Sequence, residues 1–156
     1  MRKAFLLLAV CFLLIGCKVE KKNSLEGVWE LVEARYTTAG EIESSNERVI
    51  KMYTKNHWVV MGQAPNRQKF NGEGTDAELL NAAKTFGMEA GIYTLKDNIL
   101  TEYVEFAFVP NWVGATVSFT IEWEGDKWIQ TGTFPNKALG MGENDTESYE
   151  VWKRIE

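Results

Sequence analysis

The sequence predicts an all-β domain folded as an antiparallel up-and-down β-barrel with one short α-helix. Three observations favour this fold: strict alternation of apolar and polar residues, short turns between the alternating segments, and one isolated segment with helical spacing. A run of antiparallel strands must hide its edges, and closure into a barrel does so within one domain. A two-sheet β-sandwich is the alternative architecture.

The first part of the 156-residue chain is typical of an export signal. Basic residues at positions 2 and 3 precede an apolar stretch over residues 4–15. That stretch is too short for a membrane span, which needs roughly 20 apolar residues. The letters LIGC at residues 14–17 resemble the lipobox of bacterial lipoproteins. This resemblance implies removal of residues 1–16 and attachment of lipid to Cys17; an ordinary signal peptide or an uncut anchor is the alternative.

The expected processing also decides the fate of the two cysteines. Cys11 leaves with the signal and Cys17 carries lipid, so the mature domain has no free thiol and no disulfide. The chain holds 17 basic and 22 acidic residues, a formal net charge of −5. Such a balance excludes a nucleic-acid partner. We interpret residues 17–24 as a lipidated tether and residues 25–156 as the barrel domain.

The strongest strand signal is TVSFTIEW at residues 116–123, where Val117, Phe119, Ile121 and Trp123 share one face. Short polar turns at 96–98 and 124–126 predict two hairpins. The predicted strands cover residues 28–36, 48–53, 57–61, 91–95, 99–108, 116–123, 127–134 and 149–155.

A single helix is predicted over residues 75–86. Thr75 and Glu78 have the spacing of a capping box, and Leu79 begins an apolar stripe that ends at Phe86. We expect Gly87 to end the helix in a left-handed conformation. The stripe is expected to pack against the sheet or to close one end of the barrel.

Two terminal segments carry a family resemblance. Gly27 and Trp29 in LEGVWELV resemble the G-x-W opening strand of lipocalins and intracellular fatty-acid-binding proteins, the calycin group. EVWKRIE resembles their closing strand, with Lys153 or Arg154 where a basic residue covers the opening tryptophan. Together with GIYTLKDNILTEYVEFA, the chain looks most like the lipocalin-like lipoproteins of the Bacteroidetes over residues 25–156. The resemblance implies that Gly27, Trp29 and Arg154 close the barrel.

The sequence also departs from these relatives. The resemblance implies an R-x-Y pair for fatty carboxylates in the closing strand, but the corresponding residues here are Glu150 and Trp152. A carboxylate ligand would be repelled at that point, so we do not expect fatty-acid binding. The predicted helix also lies later in the chain than the two helices of fatty-acid-binding proteins.

One carboxylate interrupts an apolar face. Glu102 lies on the predicted strand 99–108, and a charge on a buried face needs a partner. Lys153, Arg154, a tyrosine hydroxyl or a ligand group is a candidate partner, and catalysis is a third role for Glu102. Glu105 lies on the opposite face of that strand. The remaining residues of the apolar face are Leu100, Val104, Phe106 and Phe108.

Metal and cofactor chemistry is not expected. His57 is the only histidine, and we interpret it as a solvent-facing residue at the start of a strand. The acidic stretch over residues 143–147 lacks the spacing of a calcium loop, and we interpret it as a solvated turn.

Aromatic side chains on the strands either fill the barrel or line a cavity in it. Trp112 is expected at the mouth of such a cavity. The candidate ligand-binding residues are Trp58, Tyr93, Glu102, Tyr103, Phe106 and Trp123.

The first functional hypothesis is a lipid-anchored envelope protein that binds a small, largely apolar or aromatic molecule in its barrel. The second is a filled barrel that serves as a protein–protein interaction module, and an enzyme based on Glu102 comes third. An interior of several hundred Å³ would favour the first hypothesis. Lys18 after the lipidated cysteine resembles the pattern of lipoproteins sent to the outer membrane, so we expect its periplasmic face.

Overall fold

The computed structural model describes residues 24–156, and the expected signal, Cys17 and most of the tether lie outside them. The described residues form nine strands, one α-helix and one 3₁₀ helix. The strands are β1 (Gly27–Thr38), β2 (Glu41–Ser44), β3 (Arg48–Tyr53), β4 (His57–Gln63), β5 (Phe86–Lys96), β6 (Ile99–Ala107), β7 (Thr116–Glu124), β8 (Lys127–Phe134) and β9 (Thr146–Arg154). Helix α1 spans Asp76–Lys84, and the 3₁₀ helix spans Pro110–Trp112.

The strands form a closed up-and-down barrel. From β3 to β9 each strand pairs with the next one along the chain, and β1 pairs with both β3 and β9. Strand β2 forms a hairpin with the second half of β1 and is not part of the ring. Closure leaves no free edge among the ring strands, which is the physical reason for a barrel here. The predicted barrel is therefore confirmed, and the sandwich alternative is wrong.

Most strand positions follow the predicted ones, and β3 and β8 have the predicted bounds. Two differences stand out. Strand β5 begins at Phe86 rather than at Gly91, and the short strand β2 was not predicted because its EIES sequence is fully exposed and has no buried face. Among the described residues, no helix is long and apolar enough to cross a membrane.

One end of the barrel is filled by tryptophans. Trp128 stacks on Trp152 with 5.9 Å between ring centroids, and Trp29 meets Trp128 edge-on at 5.9 Å. The guanidinium carbon of Arg154 lies 4.1 Å from the centre of the Trp29 ring. Gly27 has a φ of 137°, and a Cβ there would lie 2.3 Å from an Arg154 nitrogen. Gly27, Trp29 and Arg154 thus meet at this end, which we call the closed end.

The helix only partly matches its prediction. The capping box between Thr75 and Glu78 is present. Gly87, however, does not end the helix: the C-cap is Thr85, and Gly87 lies within β5. No residue of α1 is buried and Leu79 is 48% exposed, so the predicted packing of an apolar stripe is wrong. The helix end is instead held by Arg67, which donates a hydrogen bond to the Ala82 carbonyl.

A β-bulge changes the faces of β6. Gly91 pairs with Val104 and Ala90 pairs with Phe106, so Glu105 has no partner in β5. Beyond this extra residue the alternation reverses. Phe106 consequently lies on the outer wall, 66% exposed, which corrects the prediction that it shares the buried face of Glu102. Phe108, placed on that face by the same prediction, is exposed as well.

The bulge requires glycine at position 91, which supplies a stability test. A Cβ on Gly91 would lie 1.8 Å from the Tyr103 carbonyl oxygen, whereas a Cβ on Gly87 in the same strand would meet no atom within 4 Å. We expect Gly91→Ala to lower the free energy of unfolding by about 2 kcal/mol or more, because backbone has to move. Gly87→Ala is the matched control and should leave stability unchanged or slightly higher. Urea denaturation followed by circular dichroism measures both, and equal stabilities would contradict the role of the bulge.

Candidate functional site

A cavity of about 350 Å³ occupies the half of the barrel opposite the closed end. Its mouth lies where β4 leads into the α1 segment and where the 3₁₀ helix joins β6 to β7. Trp112 lines it there, as expected, and packs edge-on against Phe134 with 5.9 Å between ring centroids. The apolar walls include Leu31, Val49, Trp58, Val60, Phe119 and Phe134, and the polar floor consists of Lys51, Glu102, Gln130 and Glu150.

The centre of the floor is a buried ion pair. Lys51, only 3% exposed, places its ammonium nitrogen 2.9 Å from Glu102 Oε1 and 3.2 Å from Oε2. The Tyr53 hydroxyl donates to Glu102 Oε1 at 2.5 Å, and Lys51 donates to Gln130 Oε1 at 3.4 Å. Burial raises the pKa of Tyr53 well above its usual value, so its hydroxyl stays a donor. The partners of Glu102 are therefore Lys51 and Tyr53, whereas Arg154 lies over Trp29.

Aromatic rings surround the Lys51 ammonium. Its nitrogen lies between 5.2 and 5.8 Å from four ring centres. These distances suit cation–π attraction, which strengthens as water is excluded. The interior of the barrel is therefore built to hold a positive charge. The four rings belong to Tyr53, Trp58, Phe119 and Trp152.

Glu150 is a second buried carboxylate on the floor. It accepts hydrogen bonds from Tyr36 at 3.0 Å, from Gln130 at 3.1 Å and from the Trp152 indole at 3.0 Å. The ion pairs among residues 24–156 include none to Glu150. Burial raises its pKa, while the charge of Lys51 and the donated hydrogen bonds oppose that rise.

A third carboxylate lies nearer the mouth. Glu89 on β5 is half-buried, lines the cavity and pairs across the sheet with Val60. Burial raises the pKa of Glu89, and the charge of Lys51 acts in the opposite direction. Among residues 24–156, the cavity lining therefore combines one ammonium with the inward carboxylates of Glu89, Glu102 and Glu150 and with the exposed Glu47, so its electrostatic character is acidic.

The structure divides the predicted ligand residues into three groups. Trp58 and Glu102 line the cavity. Tyr93 and Trp123 pack in the core instead, 4.9 Å from Tyr53 and 6.0 Å from Trp29 between ring centroids.

The third group lies outside the barrel. Tyr103 alternates with the buried Glu102 and Val104, so it points outward and is 38% exposed. Phe106 is turned outward by the bulge described above. The structure therefore contradicts the expectation that Tyr103 and Phe106 line the interior. His57 is exposed at the start of β4, as interpreted from the sequence.

Sequence reasoning missed two residues of the floor. Lys51 lies within RVIKMY, where both faces carry apolar residues, so alternation does not indicate which face is buried. Gln130 shares a face with Trp128, and that neighbour was the one signal for burial. Among residues 24–156, no group of three or more His, Cys, Asp and Glu side chains could hold a metal ion.

A closed eight-strand ring with a ligand-sized interior defines an up-and-down binding barrel. The sequence profile of the lipocalin-like domain family matches residues 26–155 of this chain. The chain therefore belongs to the lipocalin-like domain family, as its terminal segments indicated. That family fold supports a ligand-binding role.

Two solved structures are similar in fold. A lipocalin-like protein from Bacteroides uniformis aligns over 84% of this chain and 98% of its own, with 12% identity and a TM-score of 0.47. An uncharacterized protein from Bacteroides eggerthii aligns over 85% of this chain and 100% of its own, with 13% identity and a TM-score of 0.46. No curated protein matches this chain in sequence.

The raised pKa of Glu150 predicts a pH effect on stability. The folded protein holds this proton more tightly than the unfolded chain, so the stabilising contribution is complete below the unfolded pKa and is lost as the pH rises through the folded pKa. We expect the free energy of unfolding to fall in that window, by at most about 1.4 kcal/mol per pH unit for this proton. In the Glu150→Gln variant the free energy of unfolding should fall less steeply over this pH range. The remaining fall should be the contribution of Glu89.

The control for this measurement is Glu122→Gln, on the exposed outer face of β7. It should keep the pH profile of the unchanged protein. Denaturant titrations at half-unit pH intervals measure all three proteins. A Glu150→Gln profile that overlays the unchanged one would contradict the assigned protonation behaviour.

Proposed function

We propose that the protein binds a small, largely apolar or aromatic molecule inside its barrel, while a lipid on Cys17 holds it at the cell envelope. The observation that supports ligand binding is the open cavity of about 350 Å³. Its volume lies within the range of about 300–1,000 Å³ that is usual for small-molecule sites. Much of its wall is apolar and aromatic, while Lys51, Glu102, Gln130 and Glu150 form a polar floor and Glu89 lies nearer the mouth.

The cavity also weighs against the interaction-module hypothesis, which requires a filled barrel. Aromatic side chains fill the closed end, but the mouth half retains open volume. In a fold stabilised by its core alone, unfilled volume costs stability. A functional use of this volume explains why larger side chains do not occupy it.

The lipid anchor is supported by the LIGC signature, and the position of Ser24, the first residue that the structure describes, indicates where the tether would join the barrel. Arg154 donates a hydrogen bond to the Ser24 carbonyl at 2.6 Å, so the tether would leave from the closed end. The seven-residue step from Cys17 to Ser24 can span at most roughly 25 Å. The cavity mouth would then face away from the bilayer and exchange ligand with the periplasm. As before, we favour the periplasmic face of the outer membrane.

We further propose that the protein is not an enzyme and that Glu102 has a structural role. Lys51 and Tyr53 both contact its carboxylate, and Lys51 forms a close ion pair with it. Both oxygens of this carboxylate are thus engaged within the protein, as in a structural ion pair with further hydrogen bonds.

Blocking the cavity tests ligand binding. Val60 on β4 lines the cavity, whereas its neighbour Val59 lies on the outer wall. We expect the protein purified from its source envelope to carry a reproducible mass adduct in native mass spectrometry. Val60→Trp should remove that adduct because the indole fills the cavity, and Val59→Trp should retain it. Circular dichroism checks that both variants are folded.

Two results together would contradict the proposal. The first is the absence of any adduct on the unchanged protein. The second is an unchanged tryptophan fluorescence spectrum across a panel of lipophiles. If the Val60→Trp variant still carries the adduct, the ligand binds outside the barrel.

A further inference from the structure

The charges inside the cavity do not balance. Among residues 24–156, Lys51 is the one basic residue that lines it, whereas the acidic residues that line it are Glu47, Glu89, Glu102 and Glu150. Lys51 is engaged by Glu102 through both carboxylate oxygens. Two inward carboxylates, Glu89 and Glu150, are left without an ion-pair partner among residues 24–156. An uncompensated buried carboxylate is costly, and a positive charge placed nearby relieves that cost.

The arrangement around Glu150 leaves room for a cation on the cavity side. Its three hydrogen-bond donors, Tyr36, Gln130 and Trp152, are neutral groups. They supply directed hydrogen bonds but no full positive charge. Because Glu150 lines the cavity, a ligand group can approach the carboxylate from the open side.

Lys51 shows which kind of group this interior accommodates. Its ammonium is held by one carboxylate and by surrounding aromatic faces, including Trp58 and Phe119. Both of these rings also line the open volume. Carboxylate and aromatic face together form the environment that recognises an organic ammonium.

We infer that the ligand carries a basic nitrogen, and that its ammonium lies near Glu150 and Glu89 while its apolar or aromatic body fills the mouth half of the cavity. This inference rests on the proposed function and names the ligand class for the same site. An ammonium in this position brings the net charge of the cavity and its ligand closer to zero. The apolar body contacts the walls formed by Val49, Val60 and Phe134.

An anionic ligand does not fit the same charges. Among the described residues that line the cavity, its one cationic partner would be Lys51, which Glu102 already neutralises at 2.9 Å. Glu150 and Glu89 would repel it from the floor and from the wall. The cavity should therefore discriminate between ligands of one shape by the charge of their polar end.

Three water-soluble probes of one shape test the inference: 4-phenylbutylamine, 4-phenylbutanol and 4-phenylbutyrate. At pH 7 the amine is cationic, the alcohol is neutral and the acid is anionic. Isothermal titration calorimetry would use the lipidated full chain in nanodiscs, with empty nanodiscs as the blank. We expect the amine to bind at least about tenfold more tightly than the alcohol, because a close charge pair at a buried carboxylate is worth more than about 1.4 kcal/mol. The acid should bind most weakly.

Variants locate the source of the preference. Glu150→Gln should reduce the advantage of the amine to about threefold or less, because it removes the charge and keeps a similar shape, with alcohol binding retained. Glu89→Gln should lower the advantage by a smaller factor, since this residue is only half-buried, and it serves as a second variant if Glu150→Gln fails to fold. Glu122→Gln, on the outer wall, should leave all three affinities unchanged.

The outcomes separate the two proposals. Binding of the alcohol or the acid as tight as that of the amine would overturn the inference and leave ligand binding standing. An amine preference that survives both Glu150→Gln and Glu89→Gln would overturn it as well. Binding of none of the probes, together with no adduct on the purified protein, would contradict the proposed function and the inference with it.

Discussion

The buried ion pair between Lys51 and Glu102 is the constraint on which the rest of the barrel depends. The two residues come from β3 and β6, which are not neighbours in the sheet, so the pair joins separate parts of the wall across the interior. Removing two charges from water costs several kcal/mol per ion, and only good geometry with further hydrogen bonds offsets that cost. Tyr53 and Gln130 supply those bonds. The pair therefore fixes the position of a polar layer in the middle of the barrel.

That layer separates two halves with different tasks. On one side, stacked tryptophans and Arg154 over Trp29 fill the closed end and supply apolar burial in a domain without disulfides. On the other side, the apolar walls remain apart and leave the cavity open. Glu150 belongs to both halves, because Trp152 of the closed end donates a hydrogen bond to it. Stability and the proposed ligand recognition are thus connected through the same few polar side chains.

Much of this fold could be predicted from the sequence, and the reasons for the exceptions are physical. Strict alternation in β7 and the polar turn before β8 indicate these two strands directly, and the terminal segments identify the closing contacts of Trp29. The bulge at Glu105 could not be predicted, because it depends on how β5 and β6 meet in the closed ring. Glu102 was recognisable because it interrupts an apolar face, whereas Lys51 lies in a strand with apolar residues on both faces. Its burial is decided by the barrel as a whole.

A double-mutant cycle on Lys51 and Glu102 tests the central role of this pair most directly. Urea denaturation gives the free energy of unfolding for Lys51→Met, Glu102→Gln and the double variant. Each single change should lower the free energy of unfolding by about 3–5 kcal/mol, because it leaves a buried charged group without its partner. The double variant should be less destabilised than the sum of the two, with a coupling energy of about 1–3 kcal/mol. Additive effects, with no coupling between the two positions, would contradict the account.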